Sequence, residues 1–193
     1  DEYLALDTNR LVELSNGCLE VLPKPTILHQ FIVKFLLRIL DDFVTARGLG
    51  AVLFAPLPVW LWTGTYREPD LVFLRRGRRK RRGQPEGADL VMEVVSEGAE
   101  NRKRDLETKR QEYAAAGIAE YWIIDPDARR ADFFRLDSEG RYQRFGPDPN
   151  GIYHAEAVPG FWIRPDWLWQ DPLPSSLDVL HELGDIPPPS PIS

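Results

Sequence analysis

Apolar and polar positions along the chain fall into short, separable patterns. In "RLVELSNGCLEVL", residues 10–22, two apolar-rich runs flank Asn16-Gly17, a pair suited to a type I′ turn, so an N-terminal β-hairpin is predicted. A two-residue loop sets Glu13 opposite Glu20, where like charges repel. Either both side chains face water or a cation lies between them. Pro23 and Pro25 end the hairpin. Over residues 27–46, Leu28, Phe31, Phe35, Ile39 and Phe43 form one stripe at helical spacing, with Lys34, Arg38 and Asp41 off it, and Gly48 and Gly50 close the helix. Strands are predicted over 51–61, 70–74 and 89–95, then a helix over 101–116 stopped by Gly117. "AEYWIID", residues 119–125, has the aromatic and β-branched content of a central strand. "ADFFRL" and "RYQRF" form a hairpin across Asp137 to Gly140, the aromatics of "FWIRPDWLW" close over the core, and a short helix spans 175–183. The pattern is that of an α/β (α+β) chain with one domain over residues 1–183 and a disordered proline-rich tail over 184–193.

Composition narrows this picture without redirecting it. The chain has 193 residues, enough for one substantial core, and at 43% hydrophobic and 28% charged it has the balance of a globular protein. No apolar run reaches the roughly 18 residues of a membrane span, so no membrane partner is expected. A polar start and a single cysteine, Cys18, lead to an expected cytoplasmic location without an intrachain disulfide. The net charge of −6 argues against indiscriminate nucleic-acid binding. Against that, "RRGRRKRR", residues 75–82, carries seven positive charges and no negative one. Arg75, Arg76, Arg78, Arg79, Lys80, Arg81 and Arg82 are therefore either a solvated loop tip or a set of phosphate contacts.

The chemistry centres on Glu93, which sits in the middle of an otherwise apolar strand. Alternation puts Leu90, Met92 and Val94 on one face and Val91, Glu93 and Val95 on the other. An unpaired carboxylate there costs several kcal/mol, so a partner is required. Asp70 begins the strand after Pro69, and pairing of the two strands brings both acids to one end region of the sheet. Two adjacent carboxylates need a proton or a cation between them, and a hard divalent ion needs only one or two. In the helix that follows, 100° steps place Lys109 beside the apolar stripe of Leu106 and Tyr113, with Asp105 nearby. Lys103, in the first turn, is the rival, and an Asp105–Lys109 pair at (i, i+4) is a competing use.

Asp70 in "EPD", Glu93 in "MEVVS" and the run "RDLETKRQEYAAAGIAEYWIIDP" resemble the Uma-two family of restriction-endonuclease-like proteins, within the PD-(D/E)xK nuclease superfamily. The similarity extends from about residue 10 to 163, and Pro25 to His29 matches a further family feature, "PxxxH". The resemblance implies a restriction-endonuclease-like mixed β-sheet flanked by helices. Val95 occupies the lysine position of the E-x-K pattern, and the family's relocation of that lysine to the next helix maps onto Lys109. Asp70, Glu93 and Lys109 are thus the implied catalytic residues. Asp70, Glu93 and the carbonyl of Val94 are the implied ligands of Mg2+ (or Mn2+), with His29, Asp105 and Glu13 as accessory candidates. The expected activity is endonucleolytic cleavage of DNA, Lys109 orienting or deprotonating water, in a monomer or homodimer. The alternative is a non-catalytic nucleic-acid-binding or scaffold protein with a degenerate site, which the acidic net charge and Val95 favour. Three scattered histidines and the absence of Walker, dinucleotide and G-x-S-x-G patterns leave other enzyme classes unsupported.

Overall fold

A computed structural model of the chain describes residues 2–8, 11–81, 83–96 and 102–184. Arg82, residue 101 at the predicted helix start, and residues 185–193 of the predicted tail lie outside the described residues. The first hairpin is β1 (Val12–Ser15) and β2 (Cys18–Val21), with Asn16 and Gly17 both at positive φ as a type I′ turn requires. Helix α1 (Ile27–Arg47) follows, capped by the Thr26 side chain and ended by left-handed Gly48.

The centre of the fold is a six-stranded mixed sheet in the order β12-β11-β10-β9-β6-β3. Its strands are β3 (Gly50–Phe54), β6 (Leu71–Arg75), β9 (Leu90–Val94), β10 (Glu120–Asp125), β11 (Arg130–Leu136) and β12 (Tyr142–Phe145). Only β9 and β10 are parallel, joined by a helical crossover. Alternation sorts the two faces as expected. Leu90, Met92 and Val94 pack with α1 and with Tyr153, Phe161 and Trp167 in one core, and Val91 and Val95 join Tyr113, Tyr121 and Ile123 in the other. A C-terminal helix, Ser176–Glu182, lies against α1.

Three predicted elements differ. The stretch 51–61 is two strands, β3 and β4 (Val59–Trp62), because Pro56 and Pro58 interrupt it. β4 pairs with the unanticipated β5 (Thr65–Arg67) in a second sheet, β2-β1-β5-β4. The buried face of α1 is carried by His29, Ile32, Phe35, Leu36, Ile39, Leu40, Phe43 and Val44, whereas Leu28 and Phe31 are half exposed. The crossover helix is also irregular. Residues Arg104–Lys109 form a π-turn that runs into helix α2 (Arg110–Ala115). Such widened turns recur at functional sites, and here the Tyr121 hydroxyl donates to the Asp105 carbonyl at 3.0 Å.

Candidate active site

The antiparallel register of β6 and β9, with Leu71 opposite Met92, sets the start of one strand beside the end of the other. Asp70 lies just before β6, and its Oδ2 accepts the Val94 amide at 2.8 Å. Glu93 is buried one residue earlier on β9, so both acids sit at the same end of the sheet. They line a cleft of about 270 Å³ with His29, Arg104, Asp105 and Lys109, walled by Leu11, Leu22 and Pro56.

Lys109 is the partner that Glu93 required. Its Nζ lies 2.9 Å from Glu93 Oε1, 3.0 Å from Glu13 Oε1 and 3.5 Å from Asp105 Oδ1. The predicted (i, i+4) pair with Asp105 and the contact with Glu93 therefore coexist. Lys103, by contrast, is exposed. The Tyr113 hydroxyl donates to the same Glu93 oxygen at 2.8 Å. Burial raises Glu93 to about 8, with Lys109 opposing the rise and Asp105 and Asp70 adding to it. Burial would lower Lys109, but Glu13, Glu93 and Asp105 hold its proton above the ordinary lysine range. The surrounding carboxylates thus favour the ammonium form of Lys109.

Behind this layer, Arg67 on β5 resolves the Glu13–Glu20 question. The register does pair Glu13 with Glu20. Glu13 is fully buried, so the solvated alternative is excluded. Arg67, itself fully buried, donates through one terminal nitrogen to Glu13 at 2.8 Å and to Glu20 at 2.6 Å. Its Nε and other terminal nitrogen form a fork on Glu112 at 2.6 and 3.0 Å. Burial favours a protonated Glu13, yet Lys109 and Arg67 together keep its carboxyl below the usual glutamate range. Glu13 thus spans two cations, one in the cleft and one behind it. Arg67, Glu112 and Tyr113 were not singled out from the sequence. The sequence signal for Arg67 was the like-charged Glu13/Glu20 pair, which demanded a cation without locating it.

His29 presents Nε2 to Asp70 Oδ2 at 3.2 Å, and its Nδ1 is buried without a hydrogen bond. The basic segment lies elsewhere. It leaves the far end of β6, five residues from Asp70, or roughly 16 Å at strand rise. It is not a free loop. Strand β7 (Lys80–Arg81) forms a small ladder with β8 (Gln84–Pro85), and Arg81 lies over the Trp60 ring. Arg78 is tied to Asp89 at 3.0 Å and to the Glu86 and Ala88 carbonyls. Arg75, Arg76, Arg79 and Lys80 are exposed.

The donor set of the cleft suits a hard divalent cation. Among the described residues, no group of three or more His, Cys, Asp and Glu side chains is arranged to hold a metal. Magnesium needs fewer, since it keeps several waters and binds through one or two carboxylates. Asp105 Oδ1 is buried without a hydrogen bond, and Glu93 Oε2 and Asp70 Oδ1 have no hydrogen-bond partner among the described residues. These spare acid oxygens in a cleft are the feature that fits a cation.

Residues 1–166 match the Uma2 family, described as "Putative restriction endonuclease". A similar solved structure is that of "a putative nuclease belonging to DUF820" from Anabaena variabilis ATCC 29413. The two chains share 17% identity and superpose with a TM-score of 0.70 over 87% of this chain and 95% of that one. The likeness establishes a common fold, a mixed sheet flanked by helices. No curated protein matches the chain. Among the described residues no helix is long and apolar enough to cross a membrane.

Proposed function

The chain belongs to the Uma2 family, and from that premise we propose that it is a Mg2+- or Mn2+-dependent endonuclease that hydrolyses phosphodiester bonds in DNA. The observation that carries this reading is the convergence of Asp70, Glu93 and Lys109 on one cleft from three separate elements. Asp70 and Glu93, with the Val94 carbonyl, would hold the cation. When bound, it supplies Lewis-acid polarisation of the phosphate and a lowered pKa for coordinated water.

The remaining work belongs to the chain's own side chains. Lys109 and Tyr113 fix Glu93 Oε1 and so leave Oε2 as the outward oxygen. The His29 ring and the Val94 amide hold Asp70 Oδ2 in the same way. Lys109 places a permanent positive charge beside the phosphate, where negative charge grows as the water oxygen bonds to phosphorus. The attacking water gives up its proton to bulk solvent, the bond from phosphorus to one sugar oxygen breaks, and that oxygen leaves with a proton from solvent. Glu13 and Arg67 keep Lys109 oriented from behind.

A second reading has its own support. Val95 stands where a strand lysine is expected, and Lys109 is already committed to three carboxylates. That arrangement also suits a nucleic-acid-binding protein with a relic site. Incubation of supercoiled plasmid, single-stranded DNA and RNA with Mg2+, Mn2+ or a chelator separates the two. Metal-dependent cleavage of DNA that is lost in Asp70→Asn supports the nuclease. Binding without cleavage under every condition supports the relic.

A further inference from the structure

We infer that Arg104 is the residue that grips the scissile phosphate of the nucleic acid, an inference that rests on the nuclease reading of the same cleft. Arg104 lies in the π-turn, lines the cleft and is mostly buried, with side-chain exposure of 18%. A guanidinium in that position ordinarily hydrogen-bonds the nearest carboxylate. This one does not. Its Nε is buried without a hydrogen bond, and its one ion pair among the described residues, to Asp105 Oδ1, is long at 3.5 Å. Its terminal nitrogens have no partner among the described residues. The cleft therefore holds a planar fork of unused donors beside acids that could have taken them.

The contrast with the other cations is informative. Arg67 is saturated by Glu13, Glu20, Glu112 and Ser15, and Lys109 makes close ion pairs with Glu93 and Glu13 at 2.9 and 3.0 Å. Arg67 has no donor to spare for substrate, and the close contacts of Lys109 turn its ammonium toward Glu93 and Glu13. Arg104 is the cation in the cleft whose donors are not consumed, and its geometry matches a phosphate's paired oxygens. The π-turn gives a reason for the placement, since Asp105 and Lys109 are buried on the same turn while Lys103 is exposed. Arg104 accordingly binds a nonbridging oxygen of the phosphodiester, and Asp70 and Glu93 serve the cation.

The test compares Arg104→Gln, Arg104→Lys and Lys103→Gln with the parent. The probe is a fluorescent 12-base-pair DNA duplex, with affinity read by anisotropy in Ca2+. Mn2+ affinity is measured on the same proteins without DNA. Arg104→Gln is expected to weaken duplex binding about 10-fold and Arg104→Lys about threefold, with Lys103→Gln within about twofold. Mn2+ affinity should stay within about twofold in all three. Equal losses in Arg104→Gln and Lys103→Gln mean a diffuse charge effect and overturn the assignment, as does unchanged duplex binding in Arg104→Gln. A parent protein that binds no Mn2+ removes the nuclease reading itself, a result separate from the failure of Arg104.

Discussion

Glu93 Oε1 receives the Lys109 ammonium at 2.9 Å, which joins the end of a central strand to a π-turn that is otherwise remote in sequence. The pair is buried, and Glu13 at 3.0 Å completes it from the N-terminal hairpin. Lys109 thus compensates several carboxylates at once. Lys109→Met should abolish metal-dependent cleavage and also cost about 3–5 kcal/mol of stability, since like charges are left facing one another. Lys103→Met should change stability by less than about 1 kcal/mol. Thermal melts and plasmid cleavage on both variants check this. A Lys109→Met protein with full stability means that the cluster is not ionised as drawn.

Glu13 gives a pH prediction. Its folded pKa lies below the ordinary value, so it stabilises the fold above the unfolded glutamate range and loses that contribution as pH falls through its folded value. Glu13→Gln leaves Arg67 and Lys109 short of a counter-charge and should cost about 3–5 kcal/mol at pH 7. Below the unfolded glutamate value of about 4.3 the unfolded chain takes up this proton before the folded one does, so the gap should narrow as pH falls toward the lower folded value. Denaturant titrations at pH 7 and pH 3 read the difference, and a gap that widens on acidification contradicts the assignment.

Tyr113 holds the same Glu93 oxygen at 2.8 Å. Tyr113→Phe removes one hydrogen bond to a carboxylate and leaves the ring in its packing against Tyr121. Metal affinity or cleavage should fall about 10–100-fold, the usual effect of losing a partner that orients a ligand. Equal Mn2+ affinity and cleavage rate in parent and variant would show that Glu93 is positioned by Lys109 alone.

The basic segment should act at a distance or not at all. Joint replacement of Arg76, Arg79 and Lys80 by Gln should lower the slope of log affinity against log salt by about 0.9 for each phosphate that is no longer neutralised. The cleavage rate at saturating DNA should not change, because the segment leaves the far end of β6 from the cleft. A fall in that saturated rate would place the segment at the chemistry. Arg78→Gln should differ by destabilising the fold, because Asp89 is then left without its cation.

Much of this site is legible in the amino-acid sequence. Strand alternation alone separates Glu93 from Leu90, Met92 and Val94, and helical projection turns Lys109 inward. Both are local periodicities that a short window carries. Arg67 is not legible, because its bond to Glu112 spans 45 residues and rests on β5, a three-residue strand too short for a pattern. The π-turn escapes for a similar reason. Its sequence, RDLETK, has ordinary helix propensity, and one of its partners, the Tyr121 hydroxyl, belongs to another strand. Leu28 and Phe31 mislead the reading of α1, since a stripe defined by large residues ignores Ile32, Leu36 and Leu40, which face the sheet instead.

The central claim is that Asp70 and Glu93 share one divalent cation. The most direct measurement is an anomalous-scattering map from a Mn2+-soaked crystal. The account predicts one strong peak in the cleft, bonded to a carboxylate oxygen of each residue at roughly 2.0–2.6 Å. Two carboxylates more than about 8 Å apart, too far to share an ion with such bond lengths, or a peak bound elsewhere in the protein, would contradict it.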